Sequence, residues 1–201
     1  MGGLVAALAA TPRLLLAAQE PPAEEREIEI IATPLKLGVH GAAKHSDATR
    51  ELFIPAGAAF GNGVLSSLTP LTVWELIDGA TKIIDGFNFK VPDDFVSFVK
   101  VELVWLSPAA SGNMNWQMRA WYGAAGETYT THSDGPAAGT TATGGSNVFN
   151  VQESPNALTL ADLARGDLVG IRVDRYGADA SDTLGASCYV AGLLFTYTAE
   201  Q

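Results

Sequence analysis

Val96-Ser97-Phe98-Val99-Lys100-Val101-Glu102-Leu103-Val104-Trp105 is the stretch that decides the fold class. Val99, Val101, Leu103 and Trp105 share one face of an extended chain, and Phe98, Lys100, Glu102 and Val104 share the other. Successive side chains of a strand point to opposite sides of its sheet, so the pattern predicts a strand with one face in a core. The same period recurs on the C-terminal side. Met114, Trp116, Met118, Ala120 and Tyr122 fall together, opposed by Asn113, Asn115, Gln117 and Arg119. Val169, Ile171 and Val173 alternate with Gly170, Arg172 and Asp174. In the last run, Tyr189, Ala191, Leu193, Phe195 and Tyr197 are predicted on one face, with Cys188, Val190 and Leu194 on the other. A strand that is apolar on both sides belongs in the middle of a sheet or under a neighbour.

Short runs of this kind predict strands over 50–54, 71–77, 82–91, 96–106, 113–122, 126–132, 146–152, 167–175 and 186–198, separated by Gly, Pro, Asn and Asp. Thr159–Ala164 is the one short stretch with helical character, and Ser133–Ser146 is the long loop. Regularly spaced strands with little helical periodicity indicate an all-β sandwich or barrel. From residue 71 onward there are eight predicted strands in about 130 residues, the number a jelly roll needs. The reading is one jelly-roll β-sandwich over residues 50–201.

Residues 1–49 do not share this pattern and are read as an extended, partly helical N-terminal arm. Leu4–Ala18 is Ala- and Leu-rich but is broken by Thr11-Pro12-Arg13, so it falls short of the roughly 18 uninterrupted apolar residues of a spanning helix. Leu4–Ala10 has the apolar character of a secretory leader, yet no Lys or Arg precedes it. Pro21–Arg26 reads as a linker, and Glu27-Ile28-Glu29-Ile30 alternates like a strand.

Composition narrows the partners. The chain has 201 residues, 12 Lys and Arg against 22 Asp and Glu, a formal charge of −10 and a pI near 4.6. Neutralising phosphates needs clustered Lys and Arg, so no nucleic-acid partner is expected. Hydrophobic residues make up 47% of the chain, which sets it apart from a disordered acidic tail. A single cysteine, Cys188, excludes an intramolecular disulfide and a multi-cysteine zinc site. No membrane partner and no cofactor are expected.

Phe87–Phe95 (FNFKVPDDF), Gly166–Arg175 (GDLVGIRVDR), Asp182-Thr183 and Tyr189–Tyr197 (YVAGLLFTY) follow one another in an order that resembles jelly-roll structural proteins from virions of tailed phages and related environmental viruses. The resemblance spans about residues 71–201 and leaves out the arm. The closing strand is also similar to that of trimeric C1q/TNF-like jelly rolls. The resemblance implies a capsid decoration or cement protein, a minor capsid protein, or a fibre or spike head, found on the capsid or tail surface. It implies a symmetric homo-oligomer, with a trimer favoured, resting on a major capsid or other virion protein. It brings no catalytic residues with it.

Candidate chemistry is sparse. Asp174, Asp179 and Asp182 lie close enough in sequence to suggest Ca²⁺, but their spacing matches no EF-hand, and Asx-turns explain Asp179 and Asp182. Asp93-Asp94 could form an acid pair, yet neighbours in an extended turn point apart. His132, Ser133 and Asp134 lack a nucleophile elbow, His40 and His45 lie in the arm, and Gly61-Asn62-Gly63 lacks the strand, helix and Lys of a phosphate loop. No enzymatic activity is expected. Trp105 and Trp116 fall on core faces; Trp121 has the opposite phase and points outward, towards a subunit interface or, in the alternative, a glycan. The interface candidates are Leu4, Leu8, Leu14, Leu15, Leu16, Ile28, Ile30, Trp121 and Leu194. The sequence thus points first to a virion assembly protein whose low charge and apolar arm leave surface for neighbours. A receptor- or glycan-binding head, or a non-viral extracellular filament subunit, is the alternative.

Overall fold

The computed structural model describes residues 47–68 and 70–200. Its strands are β1 (Ala48–Pro55), β2 (Phe60–Gly61), β3 (Val64–Leu68), β4 (Leu71–Leu76), β5 (Thr81–Lys90), β6 (Phe95–Leu106), β7 (Asn113–Gly123), β8 (His132–Asp134), β9 (Gly139–Ala142), β10 (Asn150–Glu153), β11 (Leu168–Tyr176) and β12 (Cys188–Ala199), with one 3₁₀ turn at Ala56–Ala58. They form two six-stranded sheets. The first runs β10-β6-β12-β4-β3, with β1 also on β12; the second runs β2-β5-β11-β7-β8, with β9 also on β7. From β4 to β7 successive strands alternate between sheets, and β10, β11 and β12 do so again. The order β10-β6-β12-β4 over β5-β11-β7-β8 is that of a jelly roll. β8 and β9 pair with opposite ends of β7 and together fill one edge position. Among the described residues no helix is long and apolar enough to cross a membrane.

The alternation read from the sequence holds in β7 and β11. Met114, Trp116, Met118, Ala120 and Tyr122 are buried between the sheets, as are Val169, Ile171 and Val173. It fails where a β-bulge adds a residue, because one extra residue inverts the facing of all that follow. In β12, Val190 pairs with Trp105 and Gly192 with Val104, so Ala191 is the extra residue. Cys188 and Val190 before the bulge and Leu193, Phe195 and Tyr197 after it therefore all face the core, whereas Tyr189 and Ala191 do not. In β6, Lys100 pairs with Thr196 and Phe98 with Tyr197. The unpaired Val99 is turned out, 46% exposed, and Phe98 packs on the core in its place.

β12 lies between β6 on one side and β4 and β1 on the other, the central position its apolar faces predicted. Phe195 anchors an aromatic cluster with Phe89, Phe95, Phe98 and Tyr197, ring centroids 4.9–6.4 Å away. Three expectations are corrected. Residues 126–132 form turns before β8 begins at His132, because Gly126 takes a positive φ of 96° and Thr131 bonds back to Thr128. Thr159–Ala164 is a turn and not helical, with Leu160 and Asp162 at positive φ. The Ser133–Ser146 loop contains strand β9, whose Thr141 hydroxyl accepts the Trp116 indole N–H at 2.9 Å. The β2 and β3 segments were not anticipated.

At one end of the core sits a fully buried charge. Arg175 continues the inward set of β11 and is 0% exposed. Its Nε and Nη2 donate to Asp182 at 3.0 and 2.9 Å, Nη1 to the carbonyls of Leu76 and Ala186 at 2.8 Å each, and Nη2 also to Asp78 at 3.1 Å. Every guanidinium donor is thereby used. Burial, the largest single influence, would depress this group, but the bond to Asp182 and the nearby charges of Asp182 and Asp78 together raise its pKa above the ordinary arginine value.

Removing one partner of such a pair strands the other charge in the core. Asp182→Ala is expected to lower unfolding free energy by about 3–5 kcal/mol in a denaturant titration. A loss below about 1 kcal/mol would show that water replaces the carboxylate. Cys188 is buried, and burial pushes its thiol well up. It is expected to stay unreactive to a thiol reagent at pH 8 in the native protein and to react fully once guanidinium unfolds the chain.

Candidate functional site

The outer face of the second sheet carries a groove of about 800 Å³, near the top of the roughly 300–1,000 Å³ of small-molecule sites. Its shape starts in β11. Because Val169, Ile171 and Val173 point inward, Leu168, Gly170 and Arg172 point out. Gly170 pairs with Asn88 of β5 on one side and Trp121 of β7 on the other. One row across the sheet is thus amide, no side chain, indole. The missing side chain leaves a trough, and a Cβ on Gly170 would lie 3.0 Å from the Asn88 Oδ1.

A bulge in the second sheet builds one wall. Ile171 pairs with Phe87 but Val173 pairs with Ile84, so Asp85 and Gly86 together oppose Arg172. Gly86 has φ +82°, which a residue with a Cβ adopts only under strain, and a Cβ there would sit 2.6 Å from the Phe60 ring. The Phe60 ring lies on this bare backbone and rises 62% exposed at the groove's edge. The Ala124–Thr131 loop forms the opposite wall. Glu127 Oε2 accepts the Ala124 amide N–H at 2.8 Å and lies 3.7 Å from His132 Nε2, and Tyr129 projects 80% exposed.

Beneath Arg172 lies a polar network. Arg172 Nε donates to Asp174 Oδ1 at 2.6 Å and lies 3.8 Å from Asp85. Asp174 is 1% exposed; its Oδ2 accepts from Gln117 Nε2 at 2.9 Å and has Arg119 Nε at 3.5 Å. Gln117 also bonds the Tyr176 hydroxyl. Burial tends to depress the Arg172 guanidinium, and its bond and charge contact with Asp174 more than compensate, leaving its pKa raised.

The residues singled out from sequence separate. Trp121 lines the groove. Leu194 lies half-buried on the outer face of the other sheet, paired with Phe53. Leu4, Leu8, Leu14, Leu15, Leu16, Ile28 and Ile30 lie outside the described residues, as do His40 and His45. Asp93 bonds Lys90 at 2.7 Å while Asp94 binds Arg50 and Tyr197, so the two carboxyls diverge. His132 stacks on Tyr122, and Asp134 instead accepts from the Thr159 amide at 2.6 Å. Asp179 forms the anticipated Asx-turn with Ser181; Asp182 likewise accepts the Leu184 amide N–H two residues on, at 3.4 Å, and also serves Arg175, while Asp174 serves Arg172. Among the described residues no cluster of three or more His, Cys, Asp or Glu side chains could hold a metal ion.

Asn88, Phe60, Tyr129 and Gly170 were not foreseen as site residues. Gly170 alone left a signal, since a glycine inside an otherwise apolar strand marks a place where something approaches the backbone. No family model and no curated protein matches the sequence. Among solved structures, the TmCBM61 carbohydrate-binding module in complex with β-1,4-galactotriose is similar at 6% identity and a TM-score of 0.34, covering 75% of this chain and 88% of that one. A family 11 carbohydrate-binding module from Clostridium thermocellum, in complex with a β-1,3-1,4-mixed-linked tetrasaccharide, is similar at 9% identity and a TM-score of 0.31, covering 81% and 94%. Neither likeness bears on the chemistry of the groove, which its own residues define.

Proposed function

We propose that the chain is a saccharide-binding β-sandwich whose groove on the second sheet holds a segment of an oligosaccharide. The observation that carries this is the Trp121–Gly170–Asn88 row. A pyranose ring has an apolar C–H face and a rim of hydroxyls. It suits a trough with an aromatic plane on one side and planar hydrogen-bonding groups on the other. Trp121 differs from the other three tryptophans in one respect. The indole N–H groups of Trp74, Trp105 and Trp116 all donate to protein acceptors. The Trp121 indole N–H makes no hydrogen bond among the described residues and is available to a ligand. Asn88, Asp85 and Arg172 supply donors and acceptors for hydroxyls. A nucleic acid would also stack on Trp121, but the chain's charge of −10 opposes it. Asp85 and Glu127 stand on opposite walls of the groove, Asp85 3.8 Å from the Arg172 Nε and Glu127 bonded to the Ala124 amide, an arrangement that suits holding a ligand better than acid–base catalysis.

The resemblance to virion jelly rolls adds a setting, a fibre or spike head that grips a surface glycan. Trimerisation through the N-terminal arm is the assembly part of that reading.

Trp121→Ala is expected to weaken binding to a glycan array's positive ligand by about five- to 150-fold, since stacking of a ring on an aromatic side chain contributes about 1–3 kcal/mol. Its circular dichroism should match the wild type. Equal binding by wild type and variant would overturn the groove as the site. For the assembly part, light scattering should give a trimer for the full chain and a monomer for a chain lacking residues 1–46. A monomeric full chain would remove the assembly reading and leave the groove untouched.

A further inference from the structure

The geometry points to a carboxylate-bearing saccharide, such as a uronic-acid oligomer, as the ligand the groove prefers, with Arg172 as the residue that selects it. This rests on the saccharide reading above and sharpens it. Arg172 is two residues along β11 from Gly170 on the same face, roughly 6.6 Å from the trough. A sugar ring stacked on Trp121 over Gly170 would carry its exocyclic group within reach of that guanidinium.

What Arg172 offers is set by what already holds it. Its Nε edge is pinned by Asp174 at 2.6 Å, with Asp85 at 3.8 Å on the same nitrogen. Asp174 cannot swing away, because it is buried and is held in turn by Gln117 and Arg119. The two terminal nitrogens of Arg172 make no hydrogen bond to any described residue, and the side chain lines the groove. The result is a guanidinium fixed at its base with its paired N–H groups free. That fork matches the two oxygens of a carboxylate, which it binds through two parallel charge-assisted bonds. A hydroxyl oxygen engages the same fork through one site and without the charge. Pre-fixing the side chain also removes much of the ordering that a free arginine would undergo on binding.

The charge of the whole chain narrows the class further. At −10 it disfavours the densest polyanions, so a saccharide with one carboxylate per ring fits better than a heavily sulfated one with several charges per ring.

The test uses the full chain and matched ligand pairs, free-acid oligogalacturonides and oligoglucuronides and their methyl esters, which keep the sugar shape and remove the charge. Calorimetry on the wild type is expected to show the acid bound at least about tenfold more tightly than its ester, as for other charge-assisted hydrogen bonds. In Arg172→Gln that ratio should fall to near one. Arg172→Lys keeps the charge without the fork and should also lose most of the preference; because it preserves the cation beside Asp174, it guards against a Gln variant that misfolds. If wild type binds acid and ester alike, or binds only neutral oligosaccharides, the carboxylate inference is overturned while the groove reading stands. If Trp121→Ala leaves all sugar binding unchanged, or no saccharide binds, both fall.

Discussion

Strand β11 must satisfy two faces at once, and the rest of the molecule is arranged around that demand. Its inward residues, Val169, Ile171, Val173 and Arg175, fill the core and tie its end shut. Its outward residues Leu168, Gly170 and Arg172 line the groove, and Asp174, next on the same face, is buried against Arg172. Because side chains alternate with a period of two, a slip of one residue would bury Arg172 without partners and expose the core set. Hydrogen bonding on both edges, to β5 and β7, prevents the slip. The buried Arg175 acts as a second lock: its bonds reach β4 through Leu76 and the loop before β12 through Asp182 and Ala186. Register, core and groove are therefore one constraint.

That constraint explains which parts of the structure were legible in the sequence. Alternation in β7 and β11 needs no knowledge of partners, so their inward faces and the outward phase of Trp121 could be read directly. Most of the strand succession, and with it the jelly roll, followed from spacing, whereas the turns at 126–132 and the short strands β2, β3 and β9 did not. Bulges could not be read, because the extra residue at Ala191 or Val99 exists only relative to the strand it pairs with. The groove was hidden for the same reason. Phe60, Asn88, Trp121, Tyr129 and Gly170 come from four distant segments, and only cross-strand register brings them into one trough. Arg172 and Asp174 were read as the face of β11 opposite its core residues, but their pairing and their place beside the trough depend on the fold.

The polar network under the groove is an unusual use of a strand's outer face. Asp174 faces outward by its position, yet Arg172, Arg119 and Gln117 close over it until almost none of it meets water. Burying a carboxylate is unfavourable by several kcal/mol unless its partners are well placed, so such a cluster is a poor device for stability alone. What it supplies is rigidity, since each member fixes the angle of the next. A surface guanidinium samples many rotamers, whereas this one is held before any ligand arrives.

Rigidity of this kind suits a groove whose other features are also preset. Gly86 fixes the seat of the Phe60 ring, and Gly170 keeps the floor bare. Trp121 stands near the C-terminal end of β7, where that strand pairs with β11 on one side and β8 on the other. Only the Tyr129 loop lies outside this frame of strands. A flat apolar patch would need no such arrangement to dock another protein, because apolar contact is non-directional. A ligand with many hydroxyls does need it, since each hydrogen bond counts only if donor and acceptor are already aligned and its displaced water is replaced. The preset geometry therefore favours a polar, ring-shaped ligand over a generic protein surface.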